Sequence, residues 1–261
     1  MHFKDKVVWI TGASSGIGKE LALQLDALGA ILILTSSNLA LLNELQLQLK
    51  KSKILVYNLL DIKGIPALVE QALSFYGHID FVIQSAGISQ RAQATETDMA
   101  VYEKLMAINY FAPVAINQAL LPHFVERNSG HSIIISSVAG LIGFPLRSGY
   151  AASKHAIKGY VETVQCELLK TKVMHSIVYP GRIDTPISKN ALQGNGKQYG
   201  TTDANNEVGM NVTICAQKII SGIQKGKKSI LIVKAERILL WLWWFWPSLY
   251  YRIAHNKGLQ N

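Results

Sequence analysis

The chain has 261 residues, with 26 Lys+Arg against 17 Asp+Glu, a formal net charge of +9 and a pI near 9.4. That length suits one large α/β domain better than two ordinary ones, and 49% hydrophobic with only 16% charged residues excludes a disordered chain. The two cysteines, Cys166 and Cys215, cannot form a disulfide framework; they are expected to be buried apolar positions in a cytoplasmic protein.

The six residues before Val7 leave no room for a targeting segment, so the run Val7-Val8-Trp9-Ile10 reads as a buried first strand. It leads into Thr11-Gly-Ala-Ser-Ser-Gly-Ile-Gly18, which opens a helix with Ile17, Leu21, Leu25 and Leu28 at helical spacing. Glycines at this strand–helix junction allow a tight turn, close approach of backbone to a pyrophosphate, and close packing of helix on sheet. The helix N-terminus adds free N–H groups and a positive dipole end. Gly12, Ser14, Ser15, Gly16, Ile17 and Gly18 are therefore the expected phosphate-binding set. Further strands are expected at Ile31–Leu34, Ile54–Asn58, Ile79–Gln84, Ser132–Ser136, Val173–Tyr179 and Ser229–Val233. Helices are expected near 39–49 and at Ile65–Tyr76, Met99–Arg127, Gly149–Leu169 and Val212–Ile223. Strand–helix alternation with near-continuous apolar strands predicts a doubly wound parallel sheet, a single-domain Rossmann fold with helices on both faces. Arg182–Gly209 lacks apolar periodicity and reads as a substrate lid over residues 182–209.

Tyr150-Ala-Ala-Ser-Lys154 places a phenol and an ammonium four residues apart, on one helix face. A nearby cation favours the phenolate and draws a Tyr towards the working pH range. The strand before it ends Ile133-Ile134-Ile135-Ser136-Ser137. Adjacent strand residues face opposite sides, so one of the two serines can reach the same cleft and hydrogen-bond a substrate oxygen.

At these residues the chain resembles the short-chain dehydrogenase/reductase family over nearly its whole length. The resemblance selects Ser137, thirteen residues before Tyr150, and implies a catalytic set of Asn109, Ser137, Tyr150 and Lys154. It implies cofactor contacts from Asp61 (adenine side) and Ile62, from Ser85, Ala86 and Gly87, and from Tyr150 and Lys154. Pro180, Gly181, Ile183 and Thr185 would lie on the nicotinamide side. Where the family carries Asn-Asn-Ala-Gly, this chain has Gln84-Ser85-Ala86-Gly87, which puts the brace beneath the cofactor in doubt. At the end of the second strand Ser36 and Ser37 can donate hydrogen bonds and no acid is present, which favours NADP over NAD. Ser137, Phe144, Leu146 and Tyr199 are the expected substrate contacts. No metal site is expected.

Residues 1–235 are read as the catalytic domain and 236–261 as an apolar, basic C-terminal extension. From Val208 onward eight Lys and Arg oppose only Glu236, so +7 of the +9 lies there and Met1–Glu207 carries +2. The run Ile238-Leu-Leu-Trp-Leu-Trp-Trp-Phe-Trp246 is too short to span a bilayer. Two readings of it stand: a peripheral membrane contact through residues 237–252 on the cytoplasmic face, or packing in the core or a dimer interface. The dense aromatic block argues against nucleic acid, whose binders interleave aromatics with charge. Similar tails occur in a lipid-handling branch of the family that includes certain hydroxysteroid dehydrogenases and dehydrogenase/reductase member seven proteins. The expected activity is interconversion of a secondary alcohol and a ketone on an apolar small molecule, by a homodimer or homotetramer; the competing expectation is a catalytically silent nucleotide-binding sensor or scaffold.

Overall fold

The computed structural model describes residues 1–201 and 209–259. Seven parallel strands form one sheet: β1 (Val7–Thr11), β2 (Ile31–Ser36), β3 (Ser52–Val56), β4 (Phe81–Gln84), β5 (Gly130–Ile135), β6 (Val173–Pro180) and β7 (Ser229–Ile232). Their spatial order is β3-β2-β1-β4-β5-β6-β7. The order reverses between β1 and β4, and in such sheets a crevice opens there, beyond the carboxyl ends of the strands.

Strand alternation sorts the core. In β1, Val8 and Ile10 face one cluster, with Leu21 and Leu25 of α1 (Gly16–Ala27), Leu42 and Leu45 of α2 (Leu39–Gln46), and Ile219 and Ile223. Val7 and Trp9 face the other, with Leu68 and Val69 of α3 (Ile65–Ser74) and Phe124. Every expected strand is present, with ends shifted by a few residues.

The expected helix Met99–Arg127 is not continuous. It consists of α4 (Met99–Met106), a π-helical turn over Ala107–Phe111, and α5 (Ala112–Glu126). Such wide turns recur at functional sites, and this one carries Asn109. Pro122 sits inside α5 without ending it. The catalytic-motif helix α6 (Ser148–Glu167) buries Ile157, Val161 and Val164, the first two against Ile134 of β5 and Ile177 and Tyr179 of β6. Cys166 lies off that stripe and is exposed, contrary to expectation, whereas Cys215 is buried in α7 (Val212–Gln224).

The chain ends in two helices, α8 (Glu236–Phe245) and α9 (Pro247–Leu259). Trp246 leaves helical geometry and Pro247 starts the next helix, a position where its missing N–H costs nothing. The run that is apolar all round in sequence divides in space. Leu239, Leu240, Leu242 and Trp243 pack around Val138, Ile142 and Tyr250, whereas Trp241, Trp244, Phe245 and Trp246 are more than half exposed. Among the described residues no helix is long and apolar enough to cross a membrane.

Candidate active site

A cleft of about 760 Å³ opens at the carboxyl ends of the strands, a volume typical of small-molecule sites. Its cofactor end is built from backbone that tolerates no side chain. Gly12 has φ +68, and a Cβ there would come within 2.6 Å of the Ala86 backbone; at Gly18 it would meet the Gly12 carbonyl at 2.3 Å. Gly18 therefore seats α1 on the turn and does not itself line the cleft, while Gly12, Ser14, Ser15, Gly16 and Ile17 do. Ser15 precedes α1 without a side-chain capping hydrogen bond. The first-turn N–H groups are thus left to a ligand, and a pyrophosphate fits them.

Ser36 and Ser37 line the cleft at the end of β2, with the Ser36 hydroxyl donating to Ser14 Oγ at 2.8 Å. Asn38 is spent on capping α2, accepting from the Leu41 N–H. Ser85, Ala86, Gly87, Pro180, Gly181, Ile183 and Thr185 also line it.

Asp61 and Ile62 do not. β3 ends at Val56, two residues before the expected Asn58, so Asn58 and Leu59 occupy the wall instead. Asp61 turns away to accept the Gly64 N–H, and its carbonyl accepts the Tyr57 hydroxyl at 2.6 Å. Burial, with Asp61 beside it, pushes the Tyr57 phenol up to about 12.

Ser137 and Tyr150 both line the cleft; Ser137 Oγ accepts the Ala139 N–H, while Ser136 points away towards the Lys154 carbonyl. Lys154 Nζ lies 5.8 Å from the Tyr150 ring centre and donates to the Ile135 carbonyl at 3.0 Å. Burial lowers the Lys154 pKa to about 8. Burial also raises Tyr150; the nearby Ser137 hydroxyl and the Arg147 charge oppose that rise. Arg147, three residues earlier and unflagged by any motif, thus adds a second cation beside the phenol to the expected Lys154.

Asn109 is buried beneath the cleft and does not line it. Its Oδ1 accepts the Ile88 N–H and its Nδ2 donates to the Ile88 carbonyl and to Ser153 Oγ, whose hydroxyl donates to the Tyr150 carbonyl. The π turn thus ties the loop after β4 to the helix that carries Tyr150.

Gln90, fully buried and also missed from sequence, makes a second tie. Its Oε1 accepts the Gly149 N–H at 2.7 Å and its Nε2 donates to Thr97 and Ser148. Arg147 adds donations to Ser89 Oγ and the Gln90 carbonyl. No local pattern announces the contacts to α6 and Arg147, since those partners are 57 to 59 residues apart.

At the substrate end, Phe144 and Leu146 line the cleft; Leu146 holds a left-handed φ of 63°, costly for a branched side chain. Tyr199 does not line it and instead lies beneath the Arg91 guanidinium, 5.0 Å from the ring centre. Part of the remaining wall comes from Ile238, Leu239, Leu242, Ile253 and Ala254 of α8 and α9, none of which the sequence marks as a substrate contact. The Tyr250 hydroxyl donates to the Gly143 carbonyl and fastens α9 to the loop beside the site. Residues 182–209 are less lid-like than expected: Ala191 and Leu192 are buried, and Leu192 packs with Leu105, Tyr150 and Ala151. Residues 202–208 of that segment lie outside the described residues.

A nucleotide-sized cradle and a Tyr–Ser pair sharing one cleft at a sheet's switch point define a dinucleotide-binding protein with room for chemistry beside the cofactor. A family model described as short chain dehydrogenase matches residues 6–196. The chain is 35% identical to dehydrogenase/reductase SDR family member 7B of Mus musculus, over 98% of this chain and 82% of that protein. It is 36% identical to the protein of the same name from Danio rerio, over 98% and 87%. Among solved structures, a short-chain dehydrogenase/reductase from Burkholderia phymatum in complex with NAD matches with a TM-score of 0.82 at 21% identity, covering 93% of this chain and 94% of that one. A short-chain dehydrogenase from Burkholderia cenocepacia in complex with NADP matches at 0.79 and 19%, covering 97% and 98%. The chain belongs to the short-chain dehydrogenase/reductase family. It is an NAD(P)-dependent oxidoreductase whose substrates are small molecules.

Proposed function

We propose that this enzyme interconverts a secondary alcohol and a ketone on an apolar small molecule, with Asn109, Ser137, Tyr150 and Lys154 as its working set. The observation that carries this reading is that Ser137, Tyr150 and Lys154 line one cleft, with apolar side chains of α8 and α9 on its wall. When bound, the nicotinamide cofactor supplies or accepts the hydride. Gly12, Ser14, Ser15, Gly16 and Ile17 would hold its phosphates, Asn58 and Leu59 its adenine side, and Pro180, Gly181, Ile183 and Thr185 its nicotinamide side.

In the reducing direction the Tyr150 hydroxyl donates its proton to the substrate oxygen, while Ser137 hydrogen-bonds that oxygen and orients it. Burial favours the neutral phenol, the form that Tyr150 needs to act as an acid in the reducing direction. In oxidation the phenolate is needed, and the rate rises with pH. Lys154, at about 8, remains mostly protonated at pH 7. Its ammonium would bind the ribose hydroxyls, and Asn109 would hold the water that resupplies the proton.

NADP is the preferred cofactor on this reading. The β2 end offers the Ser36 and Ser37 hydroxyls, and among the described residues the only acid lining the cleft, Glu236, sits at the other end. Residues 1–235 would form the catalytic domain, and 236–261 a C-terminal extension that closes the substrate side. The outer face of that extension supports a peripheral contact with an anionic bilayer. Trp244 is 73% exposed and Phe245 65%, and Lys225, Lys227, Lys228, Lys234, Arg237 and Arg252 flank the pair in sequence. A homodimer or homotetramer is adopted from the habit of the family.

The test is a panel of ketones and secondary alcohols assayed with NADPH and with NADH, with and without anionic liposomes. Turnover of apolar ketones with NADPH ahead of NADH is expected. Cofactor binding without turnover across the panel would instead support a nucleotide-binding sensor.

A further inference from the structure

The basic C-terminal stretch has one acid among eight Lys and Arg residues, and it does not face them. Glu236, the first residue of α8, points into the cleft. Its Oε1 accepts the Arg182 N–H at 2.8 Å and its Oε2 accepts the Lys234 N–H at 3.0 Å. The second bond is local; the first joins backbone 54 residues away, immediately after Pro180-Gly181.

The backbone there needs such a partner. β6 ends at Pro180, which has no N–H, and the Gly181 N–H reaches the last residue of β7, Ile232, at 2.8 Å. β7 goes no further, so the sheet offers the Arg182 N–H nothing. Its carbonyl is taken by the Met210 N–H at 2.8 Å, leaving the donor to the Glu236 carboxylate. Hydrogen bonds to a charged acceptor are among the stronger ones. The fit is also steric. A Cβ on Gly181 would stand 2.7 Å from Glu236 Oε1 and 2.8 Å from the carboxyl carbon. Gly181 has an ordinary backbone φ, so a side chain here would be opposed not by the turn but by the Glu236 carboxylate, which would have to leave its two hydrogen bonds to make room.

We propose that Glu236 is a positioning residue for the cofactor: the first turn of the C-terminal helices sets the Gly181–Arg182 backbone and, through it, the nicotinamide-side wall. This rests on the reading of that wall given above. It makes the C-terminal extension part of the cofactor site as well as the substrate site. A mere helix-start role for Glu236 would lower stability without touching cofactor affinity selectively.

The experiment measures Kd for NADPH together with KM for an apolar ketone in wild type, E236A, E236Q, G181A and the E236A/G181A double variant of the full chain. In E236A, Kd for NADPH rises about tenfold while the ketone KM stays within about twofold. E236Q keeps one carbonyl oxygen for the Arg182 N–H and falls between. G181A weakens cofactor binding in the wild-type background and adds little to E236A, because the colliding carboxylate is gone. Equal Kd values for wild type, E236A and E236Q, or full additivity in the double variant, would overturn the proposal. Should E236A not fold, E236Q and G181A decide by the same Kd readout. Failure of wild type to bind either NADPH or NADH would instead overturn the cofactor reading beneath it, and this proposal with it.

Discussion

The two ends of the cleft are made of different material. The cofactor end is backbone: the Gly12–Gly18 turn, the uncapped start of α1 and the Ser85–Gly87 loop, held so closely that a methyl group at Gly12 or Gly18 would strike main chain within 2.6 Å. The end proposed for substrate is side chain: Phe144, Leu146 and the inner faces of α8 and α9, contributed from the middle and the C-terminal part of the chain. Backbone cradles suit a constant ligand, because phosphate groups ask only for N–H donors and room. Side-chain walls can change residue by residue without disturbing the sheet. The difference explains how one scaffold fixes its cofactor and leaves its substrate open to specialisation.

The sharpest way to break this comparison is at Gly12. Gly12→Ala is expected to cost about 2 kcal/mol or more of stability, from a left-handed φ and a main-chain collision. It should also weaken NADPH about tenfold or more, measured by denaturant melts and cofactor titration. A well-folded Gly12→Ala protein with full affinity would show that the cradle is not steric. At the other end, Trp244→Ser combined with Trp246→Ser removes two mostly exposed rings of the extension. Binding to anionic vesicles should fall about tenfold, with kcat on a water-soluble ketone unchanged. Equal vesicle binding by the variant and wild type would mean that the exposed tryptophans meet something other than a bilayer.

A third effect concerns what lies beneath both ends. His131 and His175, on neighbouring strands, are buried and held neutral, their pKa values pushed down to about 3 and about 4 mainly by burial. In the unfolded chain both titrate near 6.5. Between pH 6.5 and about 4 the unfolded state therefore binds protons that the folded state refuses. The folded state is most favoured above pH 6.5 and loses ground as the pH falls. By pH 5 the loss is about 2 kcal/mol for each histidine. Urea midpoints at pH 7.5 and 5.0 check this; a flat dependence would contradict it.

Much of the cofactor end was legible because its signals are local. A strand, three glycines and a helix occur within some twenty residues, and each needs only its neighbours to be recognised. The strand end was less legible: β3 stops at Val56 and not at Asn58, and Asn58 and Leu59 line the cleft there, while Asp61, expected on the adenine side from the family resemblance, does not. Cys166 shows a signal present but unused, since it sits two residues past Val164 and so off the stripe Ile157, Val161, Val164. The substrate end was opaque for a different reason. A run of nine apolar residues has no periodic contrast, so the sequence could not say which face of α8 packs on Val138 and which is exposed. Arg147, Gln90 and Glu236 act across 54 to 59 residues of chain, and nothing in their immediate neighbourhood marks those contacts.

The central claim is that proton transfer at this cleft belongs to Tyr150. Its most direct measurement is Tyr150→Phe, assayed side by side for ketone reduction and for NADPH binding. Loss of turnover by about a thousandfold, with cofactor Kd within about twofold of wild type, is the predicted result. Turnover close to wild type in that variant would contradict the account.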